Sequence, residues 1–256
     1  SETLHSVAFG AEHLMKFPLL KEVIAFAIER DNIRLKKEAG LPKPWTEDPL
    51  LQQYSFTNVH REDDKQTRLI TKGWRRPHGS DPHFWFAMFV ARLVNWWSTL
   101  EELGYPTPWD PKHFSKVLAA RMSRGEKVFS GAYIINQMIK GGTGMPKGEY
   151  LAKFVLGPLW ESREACKPRK GEALEAVCDR WTQFKGVGGF IAAQVIADVK
   201  YTKGLLNAPD WYTWAASGPG SRRGLNLVLG RERDTGWEEG AWLAALQDLR
   251  EQFNLH

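Results

Sequence analysis

Apolar positions along the chain recur mostly at i, i+3, i+4 and i+7, the spacing of one face of an α-helix. The strongest case follows Asp81-Pro82, where His-Phe-Trp-Phe-Ala-Met-Phe-Val-Ala-Arg-Leu-Val-Asn-Trp-Trp runs on toward Gly104. Aspartate suits the N-cap, proline the first helical position and glycine the stop. An element that is apolar around most of its circumference belongs at the centre of a core. Asp48-Pro49 and Asp110-Pro111 predict two more helices opened in the same way. A further helix is predicted over 17–40, ending in Arg34, Lys36, Lys37 and a glycine that suit a helix C-terminus. Two others are predicted over 172–184 and 236–253. The one plausible strand lies over 127–136 around Tyr133, with no obvious partner. Gly141-Gly142-Thr143-Gly144 reads as a loop, and near 141–148 the chain is expected to pass between two lobes of one enzyme unit. The predicted fold class is mostly α, with little or no β.

Composition narrows this only a little. Of 256 residues, 43% are hydrophobic and 25% charged, the balance of an ordinary globular protein. No apolar run reaches the length of about 18 residues that a membrane-spanning helix needs. The net charge of +5 permits a polyanionic partner without demonstrating one. Twelve tryptophans are available as core or as stacking platforms for bases. Two cysteines cannot build a disulfide framework or a four-cysteine site, and the histidines show no ligand spacing, so no metal or cofactor is expected. The first residues show no basic-then-apolar leader. A reducing, cytoplasmic setting away from membranes is the expectation.

Three blocks carry candidate chemistry. The first is Trp181-Thr-Gln-Phe-Lys-Gly-Val-Gly-Gly-Phe-Ile-Ala-Ala-Gln-Val-Ile-Ala-Asp198. A helix runs up to Phe184, the chain turns through Gly186, Val187, Gly188 and Gly189, and a new apolar helix begins. Amides at such a helix start suit one phosphate, and Lys185 adds charge. The plain alternative is a helix connection with a glycine C-cap. The second is Tyr54-Ser-Phe-Thr-Asn-Val-His-Arg-Glu-Asp-Asp-Lys-Gln-Thr-Arg-Leu-Ile. Read as a helix, it places Asn58, Arg61, Asp64 (or Lys65) and Arg68 on one stripe, with Phe56 and Val59 as anchors. Arginines there could hold phosphate, and the alternative is a solvated, salt-bridged face. In the third, Ala215-Ala-Ser-Gly-Pro-Gly-Ser-Arg-Arg-Gly-Leu-Asn, Arg222 and Arg223 sit at a helix entry.

The turn at Gly186 resembles the helix-hairpin-helix element of DNA-binding proteins, here over 172–200. In helix-hairpin-helix DNA glycosylases an essential aspartate follows some twenty residues later, at the start of the next helix, and Asp210 stands at the corresponding place. The lysine that bifunctional glycosylases carry two residues after the second hairpin glycine is Phe190 here. The cysteine cluster of several relatives is also absent. The three blocks together, from about Tyr54 to Gly230, are similar to the α-glutamyl/putrescinyl-thymine pyrophosphorylase group. These are amino acid:DNA transferases of bacteriophage thymine hypermodification, distant kin of those glycosylases.

That resemblance implies double-stranded DNA carrying phosphorylated 5-hydroxymethyluracil as substrate and a small amine (glycine, putrescine or similar) as co-substrate. The base would be everted and stacked on aromatics, for which Trp211, Tyr212, Trp214 and Tyr133 are candidates. Arg61, Arg68, Arg222 or Arg223 would neutralise the departing phosphate. Asp210, with Asn58, Arg61 and Asp64, would carry catalysis, Asp210 taking the proton of the amine. Lys185, Gly186, Gly188, Gly189, Arg222 and Arg223 would contact DNA. The alternatives are a monofunctional helix-hairpin-helix glycosylase acting on a modified base and a DNA-binding module without catalysis.

Overall fold

The computed structural model describes residues 16–131 and 144–254. Among these no strand occurs, and the fold is mostly α as expected. In chain order α1 is Leu20–Glu38 and α2 is Pro49–Gln53. A helical run over 65–78, α3, begins at Lys65–Ile70 and continues through the π-wound Thr71–Arg75. Then come α4 (Phe84–Val94), α5 (Trp97–Leu103) and α6 (Pro111–Ser123). A second run over 147–161, α7, has a π-wound middle, Leu151–Leu156. After the short helical turn Arg163–Cys166, four helices complete the order: α8 (Leu174–Thr182), α9 (Gly189–Val199), α10 (Pro219–Val228) and α11 (Glu239–Asn254).

The chain forms two compact units. One comprises the residues up to Asp64 together with those from Ser217 onward, and the other is Lys65–Ala216. The division thus falls at two points away from the Gly141 loop, whose residues 141–143 lie outside the described ones, as does Tyr133. The described part of the expected strand, 127–131, is not a strand.

The central unit is built around α4, every residue of which is buried, against which α9 packs. The predicted helix beyond Asp81-Pro82 is broken in two. Asn95 takes the left-handed conformation (φ 48°) as the C-cap of α4, a conformation that asparagine tolerates better than most residues. Asp81 tethers a turn instead of capping directly. It accepts from the His83 amide at 2.9 Å, the Tyr105 hydroxyl at 2.8 Å and the Thr107 hydroxyl at 2.7 Å. Burial pushes its carboxyl up, but these donors outweigh burial and hold it below the usual carboxylate range. Gly73, in the π-wound turn, leaves room for the Trp97 ring: a Cβ there would lie 1.8 Å from a ring carbon. Asp48 and Asp110 do cap as predicted, each accepting from two amides of the turn it opens.

In the terminal unit Phe17, Leu20 and Val228 form a small core with Val23, Ile24, Leu229, Leu249 and Phe253 beside it. The segment 54–60 is not helical, and only Arg61–Asp63 forms a 3-10 turn before α3 begins. The stripe read from Asn58 to Arg68 therefore does not exist as one helix face. Its first members are held by α1 instead: Arg30 donates to the Phe56 carbonyl at 2.9 Å and to Asn58 Oδ1 at 2.6 Å. Arg34 lies 3.3 Å from Asp63. Phe56 meets Phe26 edge-on at 5.3 Å while both stay more than two-fifths exposed.

Candidate functional site

Within the central unit, α8 and α9 pack together and are joined by the turn over 183–188. Gly186 adopts φ +84°, which favours glycine, and Val187 donates to the Phe184 carbonyl at 3.0 Å, closing the turn. The first intrahelical bond of α9 is Ala192 N–H to the Gly188 carbonyl. The amides of Gly189, Phe190 and Ile191 precede it, at the N-terminal end of the helix, where the helix dipole favours negative charge. Lys185, Gly188 and Gly189 are exposed beside them, and a Cβ at either glycine would meet nothing within 4 Å.

Asp210 lies at the other end of this helix pair. It was expected to open a helix, but 210–213 is a single turn, with the Trp214 amide on the Asp210 carbonyl at 2.9 Å. Its carboxylate reaches across sequence to cap α8, accepting from the Leu174 amide at 2.7 Å and the Glu175 amide at 3.0 Å. A carboxylate has about four acceptor directions, so this cap leaves capacity for further partners. Lys200 closes α9 at the same end. Its ammonium sits 3.9 Å from the centre of the Trp211 ring, and the Trp211 indole donates to the Lys200 carbonyl at 2.9 Å. Burial holds the Lys200 pKa below the ordinary lysine value, with Asp210 acting in the opposite direction. The pair therefore offers an amide-rich turn at one end and a carboxylate, an ammonium and an indole at the other. They are separated by the length of α9, about 16 Å at 1.5 Å per residue.

Truncating Asp210 has a structural consequence of its own. Asp210→Ala is expected to cost roughly 1–2 kcal/mol, the usual loss for a helix cap. Amide exchange at Leu174 and Glu175 should accelerate while that at the middle of α9 stays slow. Unchanged protection at both amides would remove the cap from the account.

The other candidates fall in both units. Trp211 and Trp214 are half-buried against the central core, whereas Tyr212 is 74% exposed. Arg61 is half-buried in its 3-10 turn, and Asp64 and Arg68 are exposed. Asn58 has both ends of its amide engaged, its Nδ2 donating to the Asp63 carbonyl at 2.9 Å. Arg222 is committed to Ser217, to the Trp237 carbonyl and to Glu239. Arg223 is half-exposed and gives Nε to Asp234 at 2.7 Å. Among the described residues no group of three or more His, Cys, Asp or Glu side chains could hold a metal ion. Likewise no described helix is long and apolar enough to cross a membrane.

Several polar residues of these surroundings escaped the sequence reading. Arg92 and Asp198 are both buried and form a two-pronged ion pair, 2.6 Å on each prong, with Thr67 accepting a further Arg92 bond at 3.1 Å. Arg75 lies 3.8 Å from the same carboxylate and over the Tyr201 ring. Charges inside the apolar runs Phe-Val-Ala-Arg-Leu-Val and Val-Ile-Ala-Asp-Val were the available signal, because an ionised group in such a run needs a partner.

Helices of this kind, carrying a carboxylate and basic side chains at their ends, define the chain only broadly, as a helical protein. Sequence comparison defines it further: residues 18–255 match the family described as the helical domain of 5-hmdU DNA kinases, and the chain belongs to that family. The 5-hmdU DNA kinase of Bacillus phage SP10 is 29% identical over 222 residues, covering 79% of this chain and 35% of that protein. The chain thus spans about a third of the length of this curated relative. No solved structure matches.

Proposed function

We propose that the chain acts on the 5-hydroxymethyl position of uracil in double-stranded DNA, and that its own step replaces a phosphate already carried there by an amine. The family membership supports the substrate, since the relative is named for 5-hydroxymethyl-deoxyuridine in DNA. The substitution step is supported by the resemblance of the three sequence blocks to the amino acid:DNA transferase group.

The observation that carries the reading is the α8–α9 pair, with an amide turn and Lys185 at one end and Asp210, Lys200 and Trp211 at the other. In the proposed step the turn holds a backbone phosphate and the duplex releases the modified base. The amine nitrogen forms a bond to the C5 methylene carbon as the carbon–oxygen bond breaks. The phosphate leaves with that electron pair, stabilised by Lys200, and the nitrogen's proton passes to Asp210. The glycosidic bond stays intact throughout, which separates this reading from a glycosylase.

Mass spectrometry of nucleosides tests it. Duplex DNA containing 5-phosphomethyl-deoxyuridine, incubated with the protein and a mixture of glycine and putrescine, is expected to yield an amine-substituted nucleoside. Release of free base would establish the glycosylase instead. Phosphate gained by 5-hydroxymethyl-deoxyuridine DNA from ATP, with no amine substitution, would assign kinase chemistry to these residues. Asp210→Asn is expected to abolish substitution while retaining DNA binding. Lys185→Ala should weaken DNA binding about equally for all sequences and reduce the slope of log affinity against log salt by about one. An unchanged slope in a salt titration takes Lys185 out of the phosphate contacts.

A further inference from the structure

In the central unit, α9 ends in a cluster of rings and cations that extends beyond Asp210, Lys200 and Trp211. Tyr201 follows Lys200, the cap of α9, and is 53% exposed. Its ring meets Trp211 edge-on, with centroids 5.5 Å apart and planes at 84°. The Arg75 guanidinium carbon lies over the Tyr201 ring, 5.5 Å from its centroid. The Lys200 ammonium is 5.8 Å from that centroid and 3.9 Å from the centroid of Trp211. Trp211 is the residue after Asp210, so the cluster adjoins the carboxylate that caps α8.

An exposed tyrosine is by itself an ordinary surface residue. What distinguishes Tyr201 is how it is braced. Arg75 lies 3.8 Å from Asp198, a wholly buried carboxylate whose two oxygens both accept from Arg92. The guanidinium is thus tied to the core on one side and set against the tyrosine on the other, where the negative face of the ring favours a cation. Arg75 also closes the π-wound turn Thr71–Arg75, a wide turn of a kind that recurs at functional sites. Trp211 is fixed as well, its indole donating to the Lys200 carbonyl at 2.9 Å and its own carbonyl accepting from the Lys200 ammonium at 3.4 Å. A ring held by such neighbours has little freedom left to lose when a flat ligand settles on it.

We infer that Tyr201 is the surface on which the displaced base stacks, and that Arg75 is the positioning residue that sets its ring. An exposed ring with cations 5.5 and 5.8 Å from its centre suits a ligand that is flat and negatively charged at once. Free phosphate would use the cations and leave the ring bare. An apolar side chain would use the ring and leave the cations. A nucleotide uses both, its base on the ring and its phosphates near the cations. Stacking is indifferent to which base it holds, so this surface seats the base without identifying it. Half-buried, Trp211 serves instead as the wall that holds Tyr201 and Lys200 beside Asp210. The inference rests on the proposed function only in taking a base to leave the duplex.

Fluorescence-anisotropy titration of the full chain tests it, with two duplexes that differ at one position: 5-hydroxymethyluracil mispaired with guanine, or an abasic analogue in its place. A mispaired base leaves the stack more easily, so the cost of eversion does not mask the contact. Tyr201→Leu is expected to weaken binding of the base-bearing duplex about fivefold or more, the scale of one lost base–aromatic stack, and that of the abasic duplex less than about twofold. Tyr201→Phe should bind both as the wild type does, because the ring remains. Exposed as Tyr201 is, both variants should keep the wild-type melting temperature. Arg75→Gln should weaken the base-bearing duplex when Tyr201 is present and add nothing to Tyr201→Leu. Equal losses on the two duplexes would make Tyr201 a wedge in the helix and not a seat for the base, which overturns the inference. So would unchanged binding by Tyr201→Leu, or a phenylalanine variant as weak as the leucine one. Additive losses would make Arg75 a direct phosphate contact and overturn its positioning role. Amine substitution with equal losses on the two duplexes sinks the stacking surface alone, the expected difference without amine substitution sinks the proposed chemistry alone, and no binding to either duplex sinks both.

Discussion

Asp198→Asn is expected to destabilise the protein by roughly 3–5 kcal/mol, the usual result of removing one partner of a buried ion pair. Asp198 is wholly buried, and both its oxygens receive nitrogens of Arg92, itself 1% exposed. An asparagine can accept from only one of those nitrogens and would point an N–H₂ group at the other. It also removes the carboxylate charge that faces Arg92, and Arg75 at 3.8 Å. Loss of that charge beside a buried cation makes the effect large; the pair itself need contribute little, since its attraction is largely offset by its own desolvation. Replacing both partners, Arg92→Met with Asp198→Leu, should therefore recover most of the loss. Thermal melts and urea titrations of the two single variants and the double variant form a closed cycle. For a domain of 150–250 residues the single variant should melt roughly 10 °C lower. A double variant no better than the singles would mean that shape, not charge, is what the pair supplies.

Helices whose start signals were local could be read from the sequence. Asp48 and Asp110 bond amides two and three residues on, so the same short stretch that predicts the cap also makes it. The break at Asn95 was hidden because Trp96 and Trp97 prolong the apolar pattern past the residue that turns the chain. The segment 54–60 was misread because helical spacing of polar residues is equally satisfied by an extended strap bonded to α1 through Arg30. In the site, the glycine turn was legible, since φ +84° at Gly186 is the kind of conformation glycine is used for. The role of Asp210 was not, because the amides that it caps lie 36 and 35 positions away. Lys200 carried no local signal at all. It acquires its setting only when α9 ends beside Trp211.

The helix pair proposed to hold DNA depends on a core residue for its register, and Trp181→Ala is the second large effect expected. Trp181 is wholly buried, stacked on Trp85 at 5.7 Å and edge-on to Phe89 at 5.0 Å, and its indole donates to the Cys166 carbonyl at 2.9 Å. It joins α8 to α4 and to the short turn Arg163–Cys166 in one contact set. Truncation to alanine should cost roughly 3–5 kcal/mol, the lost transfer energy plus the cavity that a rigid core cannot close. Trp181→Phe keeps most of the packing but strands the Cys166 carbonyl, so about 1–3 kcal/mol is expected there. The functional readout separates core from site. Because α8 begins at the Asp210 cap and ends at the glycine turn, loosening its seat on α4 should lower DNA affinity at temperatures where the alanine variant is still folded. The phenylalanine variant, with the seat kept, should bind DNA normally. Urea titration followed by DNA titration at fixed salt measures both. If the alanine variant bound DNA with full affinity while folded, the seat of α8 on α4 would not be what positions the turn.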